Sequence, residues 1–155
     1  MGDYPLASWG MAMIKLKGGC HCGNIQLEVG LSRLPAEYNP RACDCDFCMK
    51  HGAAYLSDPD GSLSIRVKDG RLLGRYRQGS GQAEFLLCSN CGVLVAVSYQ
   101  EAGQTIAAVN SLVIEDARFG EKTAVSPKKL GRDEKTKRWK DIWFRNVGFT
   151  DPGHI

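Results

Sequence analysis

The seven cysteines of this 155-residue chain fall into three tight groups, and this grouping restricts the folds that the chain can adopt. The groups are Cys20-x-Cys22, Cys43-x-Cys45-x-x-Cys48 and Cys88-x-x-Cys91. An odd number of cysteines cannot all pair as disulfides. Short spacings of this kind are typical of thiolate ligands to a metal ion, and seven thiols divide naturally into four and three. We therefore interpret the cysteines as metal ligands.

The first and last groups share a glycine directly after their second cysteine, Gly23 and Gly92. Metal-binding turns fold sharply around the ion and aim backbone N–H groups at the sulfurs, a geometry that glycine allows. Two such pairs supply the four thiolates of a tetrahedral structural zinc site, which would join distant parts of a small β-fold. The predicted ligands of this structural zinc are Cys20, Cys22, Cys88 and Cys91.

The middle group packs three thiols into six residues, and no glycine follows it directly. Three protein ligands with one open position are typical of a catalytic zinc site, because the open position receives water or substrate. An all-thiolate set makes a soft centre that favours a thiol over water, and the metal would deprotonate that thiol. The predicted ligands of this second zinc are Cys43, Cys45 and Cys48.

Other arrangements of the middle group stay open in the sequence. His51, three residues after Cys48, could complete a closed Cys₃His site. His21, Asp44 or Asp46 could close the site from another direction. The three thiols could also be free of metal, in which case they would oxidise readily.

Short β-prone segments separated by glycine-containing turns follow residue 24. Residues 24–29 alternate polar and apolar side chains, which is typical of a half-buried strand. Residues 68–70 (Lys-Asp-Gly) predict a hairpin turn between strands at 62–67 and 71–77. Further strands are predicted at 83–87, 93–99 and 105–113. Since no long helical pattern interrupts this region, we predict an all-β fold, mainly antiparallel, with little helix.

The end of the chain is basic and contains aromatic residues. Nine Lys or Arg residues lie between positions 122 and 145, against three acidic ones. Trp139 and Trp143 are spaced for one side of a short helix. Such aromatics dock on a sheet while the lysines stay in solvent; a contact with an acidic or phosphate-bearing partner is the alternative. We predict a lead-in at 1–13, a zinc-binding domain at 14–120, and a C-terminal extension at 121–155 that is docked on that domain.

The composition excludes several classes of protein. Hydrophobic residues make up 43% and charged residues 24%, which excludes a disordered or low-complexity chain. The net charge of +3 is too small for a dedicated nucleic-acid binder, and no apolar run approaches the ~20 residues of a membrane helix. The N-terminus carries Asp3 and no apolar segment typical of a secretory signal. We expect a cytoplasmic protein with reduced thiols and no membrane contact.

Three stretches of the chain carry a family resemblance. They are Gly-Gly-Cys-His-Cys-Gly-Asn-Ile at 18–25, Cys-Asp-Cys-Asp-Phe-Cys-Met-Lys-His-Gly-Ala at 43–53 and Cys-Ser-Asn-Cys-Gly at 88–92. In this order they resemble the glutathione-dependent formaldehyde-activating enzyme family, whose domain the centromere protein V family shares. The resemblance implies a β-tent, two sheets bent over a zinc site formed by the first and last cysteine groups. It also implies that the middle group holds a second zinc beside a glutathione pocket.

The activity implied by the resemblance is reversible C–S bond formation between glutathione and formaldehyde, which gives S-hydroxymethylglutathione. We predict a zinc-dependent carbon–sulfur lyase whose partners are a glutathione-type thiol and a small aldehyde. Arg41, Lys50 and Arg75 are candidates to bind the carboxylates of glutathione, and His51 is a candidate proton shuttle. The alternative is a non-catalytic zinc module that contacts an acidic partner or nucleic acid through the C-terminal extension.

Overall fold

The computed structural model describes residues 13–151, which form two β-sheets, two α-helices and short 3₁₀ turns. The strands are β1 (Ile14–Gly19), β2 (Ile25–Leu31), β3 (Arg41–Cys43), β4 (Ala54–Leu56), β5 (Ser62–Val67), β6 (Leu73–Tyr76), β7 (Glu84–Cys88), β8 (Leu94–Glu101), β9 (Gln104–Asn110), β10 (Thr123–Val125) and β11 (Asn146–Thr150). The helices are α1 (Asp46–His51) and α2 (Arg132–Ile142). The predicted fold class, mostly β and mainly antiparallel with little helix, is confirmed.

One sheet has four strands in the order β1-β2-β5-β11, and the other has seven in the order β10-β3-β4-β9-β8-β7-β6. Neighbouring strands are antiparallel except at two edges, where β10 runs parallel to β3 and β11 runs parallel to β5. Both parallel strands belong to the C-terminal extension. The extension therefore adds one edge strand to each sheet.

The main core lies between the two sheets. Side chains along β9 alternate in direction, so that Ala107 and Val109 pack in one cluster with Leu27 and Ile65 of the four-stranded sheet. Phe144, which follows α2, is fully buried in the same cluster. Burial of these apolar side chains holds the two sheets together.

The opposite face of the seven-stranded sheet is also buried, beneath the two helices. Ile106 and Ala108, the other residues of the β9 alternation, belong to a second cluster there. The helices contribute Cys48 from α1 and Trp139 from α2 to that cluster. Because both faces of this sheet are covered, its central strands have nearly continuous apolar sequences.

The predicted hairpin at residues 68–70 is wrong. β5 belongs to the four-stranded sheet and β6 to the seven-stranded sheet, so the chain crosses between the sheets at this point. A 3₁₀ turn at Gly70–Leu72 makes the crossing, and the Asp69 carboxylate caps it by accepting a hydrogen bond from the Arg71 N–H at 3.0 Å. β6 therefore begins at Leu73, two residues later than predicted.

A second crossing, between β4 and β5, is organised by a buried carboxylate. Asp58 accepts hydrogen bonds from the N–H and hydroxyl of Ser32 at 2.9 and 2.6 Å, from the Tyr38 hydroxyl at 2.6 Å and from the Asp60 N–H at 2.9 Å. Burial alone would raise the pKa of Asp58, but these hydrogen bonds outweigh it, and the pKa lies below its usual value. The ionised carboxylate therefore ties three segments together.

Candidate metal centres

The cysteines of the first and last groups meet beside the core between the sheets. Cys20 and Cys22 lie in the turn between β1 and β2. Cys88 ends β7, and Cys91 lies in the turn before β8. All four sulfurs lie within 4.8 Å of one another. These turns bring together thiols that are far apart in the sequence and come from different sheets.

The four sulfurs fit a structural zinc ion. A tetrahedral site with Zn–S bonds of about 2.3 Å has its sulfurs roughly 3.8 Å apart. Cys22 Sγ lies 3.8 Å from Cys20 Sγ and 3.6 Å from Cys88 Sγ, close to that spacing. The N–H of Ile25 also donates to Cys20 Sγ at 3.2 Å, as expected for a thiolate ligand. We refer to these four residues as the four-cysteine site.

The turns of the four-cysteine site depend on their glycines. Gly23 and Gly92 adopt left-handed φ angles of 86° and 82°. A Cβ atom at either position would meet nothing within 4 Å, so the backbone conformation, and not crowding, requires glycine. Beside these turns, hydrogen bonds from the Asn90 side chain and the Asn24 backbone lower the pKa of Cys22 to about 6. Its thiol is therefore ionised at neutral pH, the state that binds a metal.

The middle group forms a separate site on the other face of the seven-stranded sheet. Cys43 ends β3, Cys45 caps the N-terminus of α1, and Cys48 lies inside that helix. Cys45 Sγ accepts a hydrogen bond from the Cys48 N–H at 3.4 Å, which replaces the usual oxygen cap. The three sulfurs lie within 4.8 Å of one another. We call this group the cysteine trio; its soft donor set also fits zinc.

Two further side chains contact the sulfurs of the trio. The Tyr55 hydroxyl lies 3.2 Å from Cys48 Sγ, and the Gln78 amide nitrogen lies 3.8 Å from Cys45 Sγ. Burial, and then the charge of the nearby Cys48, raises the pKa of Tyr55, so its hydroxyl keeps its proton. The sequence carried no signal for either residue, because each reaches the trio only through the sheet and its loops.

The contact between Cys43 and Cys48 gives these two thiols of the trio different pKa values. The contact with Cys48 lowers the pKa of Cys43 to about 6, although burial acts in the opposite direction. The same contact raises the pKa of Cys48, and burial raises it further. Of Cys43 and Cys48, Cys43 is therefore the thiol that ionises first.

No fourth protein ligand joins the trio within residues 13–151. His51 packs instead against the Phe47 ring, with centroids 4.7 Å apart. Asp44 hydrogen-bonds Ser126 and lies 4.0 Å from Lys128 Nζ, so its carboxylate is directed to the C-terminal extension. His21 and Asp46 do not join either group of cysteines. The arrangements that would close the trio with one of these residues are not observed.

A cavity of about 130 Å³ lies in front of the trio. Its walls combine the three cysteines and Tyr55 with apolar side chains and with cations. The apolar lining includes Ala83, Phe85, Val97, Trp139 and Trp143, and the cationic lining comprises Arg41, Lys128, Lys135 and Arg138. A cavity that joins a metal-binding group to apolar and charged walls is typical of a small-molecule site.

Of the three cations proposed from the sequence to bind substrate, the structure brings one to this cavity. Arg41 lines it, and its guanidinium donates to Ser57 Oγ at 2.7 Å. Lys50 is exposed on α1 and does not line the cavity. Arg75 forms an ion pair with Glu84 at 2.6 Å, also outside the cavity.

The cysteine pattern, the two sheets and the two candidate metal sites can be compared with known proteins. A family model described as glutathione-dependent formaldehyde-activating enzyme matches residues 15–129. The chain belongs to this family. Its members act on small thiol and aldehyde substrates, and membership indicates a function related to glutathione or formaldehyde.

A crystal structure of a Rhodobacter sphaeroides protein is similar to this chain at 29% sequence identity. The alignment covers 66% of this chain and 90% of that chain, with a TM-score of 0.48.

The match of the family model ends before α2 and β11. No helix within residues 13–151 is long and apolar enough to span a membrane.

Proposed function

We propose that the protein is a carbon–sulfur lyase that makes and breaks the bond between a glutathione-type thiol and a small aldehyde. The observation that carries this proposal is the cysteine trio, whose three sulfurs face a cavity while no fourth ligand joins them among the described residues. An open thiolate site in a cavity is suited to accept a further sulfur. Family membership supports the same substrate class.

In this proposal Cys43, Cys45 and Cys48 hold the second zinc. Zinc bound there would supply the charge that lowers the pKa of a substrate thiol and keeps its sulfur nucleophilic at neutral pH. The Tyr55 hydroxyl lies beside Cys48 Sγ and would donate to it once zinc holds that sulfur as a thiolate, and the Gln78 amide donates to Cys45. These contacts would orient the two sulfurs. These contacts are expected to tune the affinity of the site.

The reaction balances without an oxidant or reductant. The sulfur of the thiol attacks the aldehyde carbon, one S–C bond forms, and the C=O double bond becomes a single C–O bond. The proton lost by the thiol ends on that oxygen, which gives a hydroxymethyl thioether when the aldehyde is formaldehyde. Arg41 is placed to bind a carboxylate of the thiol substrate. We assign no role in the reaction to His51, Lys50 or Arg75, because they do not line the cavity.

A non-catalytic module that binds nucleic acid through the C-terminal extension has less support. Trp139 and Trp143 are 8% and 5% exposed, so their rings are not free to stack on bases. On the same helix, Lys140 is paired with Glu101.

All seven cysteines are free thiols, and we propose that the protein works in a reducing compartment such as the cytoplasm.

The direct test is the exchange of ¹³C-formaldehyde with S-hydroxymethylglutathione, followed by exchange NMR. The zinc-loaded protein should accelerate this exchange above its rate in buffer, and Cys45→Ser should abolish the acceleration. Met49→Ala, an exposed substitution on the same helix, should leave it unchanged. A zinc-loaded wild-type protein that does not accelerate the exchange would contradict the proposal.

A further inference from the structure

One wall of the cavity is built by a part of the chain that lies beyond the family match. The match ends at residue 129, whereas Lys135, Arg138 and Trp139 of α2, and Trp143 directly after it, belong to the lining. This wall of the cavity therefore lies outside the segment that the family model describes. It offers contacts that could select among members of the substrate class.

Two guanidinium groups meet in this cavity without a carboxylate partner. Arg41 and Arg138 both line it, and within residues 13–151 neither forms an ion pair, although Arg41 donates to Ser57. Both side chains are half-buried, and their two positive charges lie close enough to interact. Two half-buried cations that repel each other are stabilised when an anion binds between them. A carboxylate fits two guanidinium groups in both charge and shape.

The same two arginines also line a second, wider cavity of about 380 Å³. Tyr55 and Val125 are likewise shared by the two cavities. The guanidinium groups therefore lie where the narrow cavity of the trio meets the wider one. A ligand whose carboxylate sits between them can extend an apolar group toward the trio and a peptide-like portion into the wider cavity.

The narrow cavity is shaped for a flat apolar group. Trp139 and Trp143 are stacked, with ring centroids 4.9 Å apart and planes inclined by 16°. With Phe85 and Val97 they form its apolar walls. Its volume of about 130 Å³ is close to that of the ~150 Å³ protein cavity that holds benzene, whereas a cavity that holds one water molecule needs only ~10–15 Å³. Formaldehyde alone would leave most of this space unfilled.

We propose that this protein selects anionic thioadducts whose sulfur carries an aromatic or similarly bulky apolar group. A carboxylate of the ligand lies between Arg41 and Arg138, and the apolar group packs against Trp139 of α2 and Trp143 directly after it. This inference rests on the proposed function, because it takes the trio as the position of the ligand sulfur. It predicts that aldehydes larger than formaldehyde are preferred, although formaldehyde is still accepted.

The first test compares stable glutathione thioethers, which bind without reacting, by calorimetry on the zinc-loaded protein. S-benzylglutathione should bind about tenfold more tightly than S-methylglutathione, since burying a phenyl ring contributes at least that factor. Equal affinities, or no binding of S-benzylglutathione, would overturn the proposal. The comparison uses the wild-type protein alone, so no variant has to fold.

The second test addresses the arginines. Arg138→Gln should weaken binding of S-benzylglutathione about tenfold or more, because a charge-assisted hydrogen bond is lost. Arg138→Lys should recover part of the affinity, because lysine keeps the charge but loses the planar fork. Lys137→Gln removes one charge from the exposed side of the same helix and should have no effect. Equal losses in Arg138→Gln and Lys137→Gln would overturn the proposal.

A diethyl ester of S-benzylglutathione separates the carboxylate contact from general electrostatics. The ester should bind wild type more weakly than the acid does, and Arg138→Gln should not weaken it further. The thioether results are independent of catalysis. If the thioether tests succeed while formaldehyde exchange is not accelerated, the selectivity stands and the proposed reaction fails. If exchange is accelerated but the thioethers show no selectivity, the proposed reaction stands and the selectivity fails.

Discussion

The two cysteine sites differ in how much of the fold each one holds. The four-cysteine site takes ligands from two turns that belong to different sheets, and its buried members lie in the cluster between those sheets. The cysteine trio takes all its ligands from six consecutive residues, on the opposite face of one sheet. The ligands of the four-cysteine site are far apart in the sequence, and they form a complete set of four thiols. The ligands of the cysteine trio are close together in the sequence, and the trio opens into a cavity.

This difference separates stability from function. A cross-link between distant segments removes more freedom from the unfolded chain than a local one does, so loss of the four-cysteine site should cost far more stability. The trio restrains only a few residues of β3 and α1, so we expect the fold to persist without it. Under the proposed function, this is why an open position can be kept there for a substrate.

The largest loss of stability is expected from Cys22→Ser. The Cys22 side chain is exposed, so the substitution leaves no cavity and acts only through the metal. Loss of a structural zinc should lower stability by several kcal/mol or prevent folding, measured as zinc per chain and thermal midpoint. His21→Gln, an exposed change at the adjacent position, serves as the control. A Cys22→Ser protein that keeps the wild-type midpoint would abolish the distinction between the two sites.

A smaller loss of stability is expected from a substitution at Asp58, in the crossing between β4 and β5, which does not involve the cysteine sites. Asp58→Asn should cost about 1–3 kcal/mol at neutral pH, because buried hydrogen bonds to a carboxylate are lost. The pKa of Asp58 is lowered in the folded protein, so its contribution is complete above the unfolded value of about 3.9 and is lost as the pH falls through the folded value. Urea unfolding from pH 7 to pH 3 should show the wild-type and variant curves converging at the acid end.

Asp69→Asn is the control for Asp58. The pKa of Asp69 is also lowered, chiefly by its hydrogen bond with Arg71, but this side chain is 34% exposed and its partner Arg71 is 88% exposed. Its substitution should change urea stability little at any pH. Equal effects of the two variants would contradict the role given to the buried carboxylate.

Cys45→Ser should remove one zinc per chain and leave the fold in place. The serine hydroxyl can accept the hydrogen bond from the Cys48 N–H that the sulfur accepts, so α1 keeps its N-terminal cap. Metal analysis together with circular dichroism checks both parts of the prediction. Unfolding of this variant would mean that the trio is structural and that the comparison of the two sites fails.

The smallest change in structure is expected from Tyr55→Phe, which removes the hydroxyl beside Cys48 Sγ. Mutation of a side chain that hydrogen-bonds a metal ligand typically changes metal affinity by about 10–100-fold. Competition with a chromophoric chelator should show this loss for one of two zinc ions, with the thermal midpoint nearly unchanged. Tyr76→Phe, at an exposed tyrosine, should affect neither ion.

The cysteine groups and the central strands could be predicted because their signals are local. Spacing alone divides the seven thiols into four and three, and Gly23 and Gly92 indicate the turns that present two of the groups. Alternation at residues 24–29 predicted most of β2, which spans Ile25–Leu31. In each case the information lies within a few residues of the feature.

Other features depend on contacts that the sequence does not encode locally. The turn chemistry at 68–70 gave no sign that β5 and β6 pair in different sheets. α1 has only six residues and a sulfur in place of the usual N-cap oxygen, although Gly52, with φ of 64°, marks its end. Arg138 reaches the cavity from a helix about ninety residues beyond the trio, whereas Lys50 and Arg75 were chosen for proximity or strand placement.

The described part of the C-terminal extension, residues 121–151, is attached to the protein by a strand on each side of α2. β10 is paired with β3 in one sheet, β11 is paired with β5 in the other, and Phe144 is buried where the chain passes between them. α2 is therefore held in place from both sides. A chain shortened after α2 would lose this brace, so the shape of the cavity depends on a strand that does not touch it.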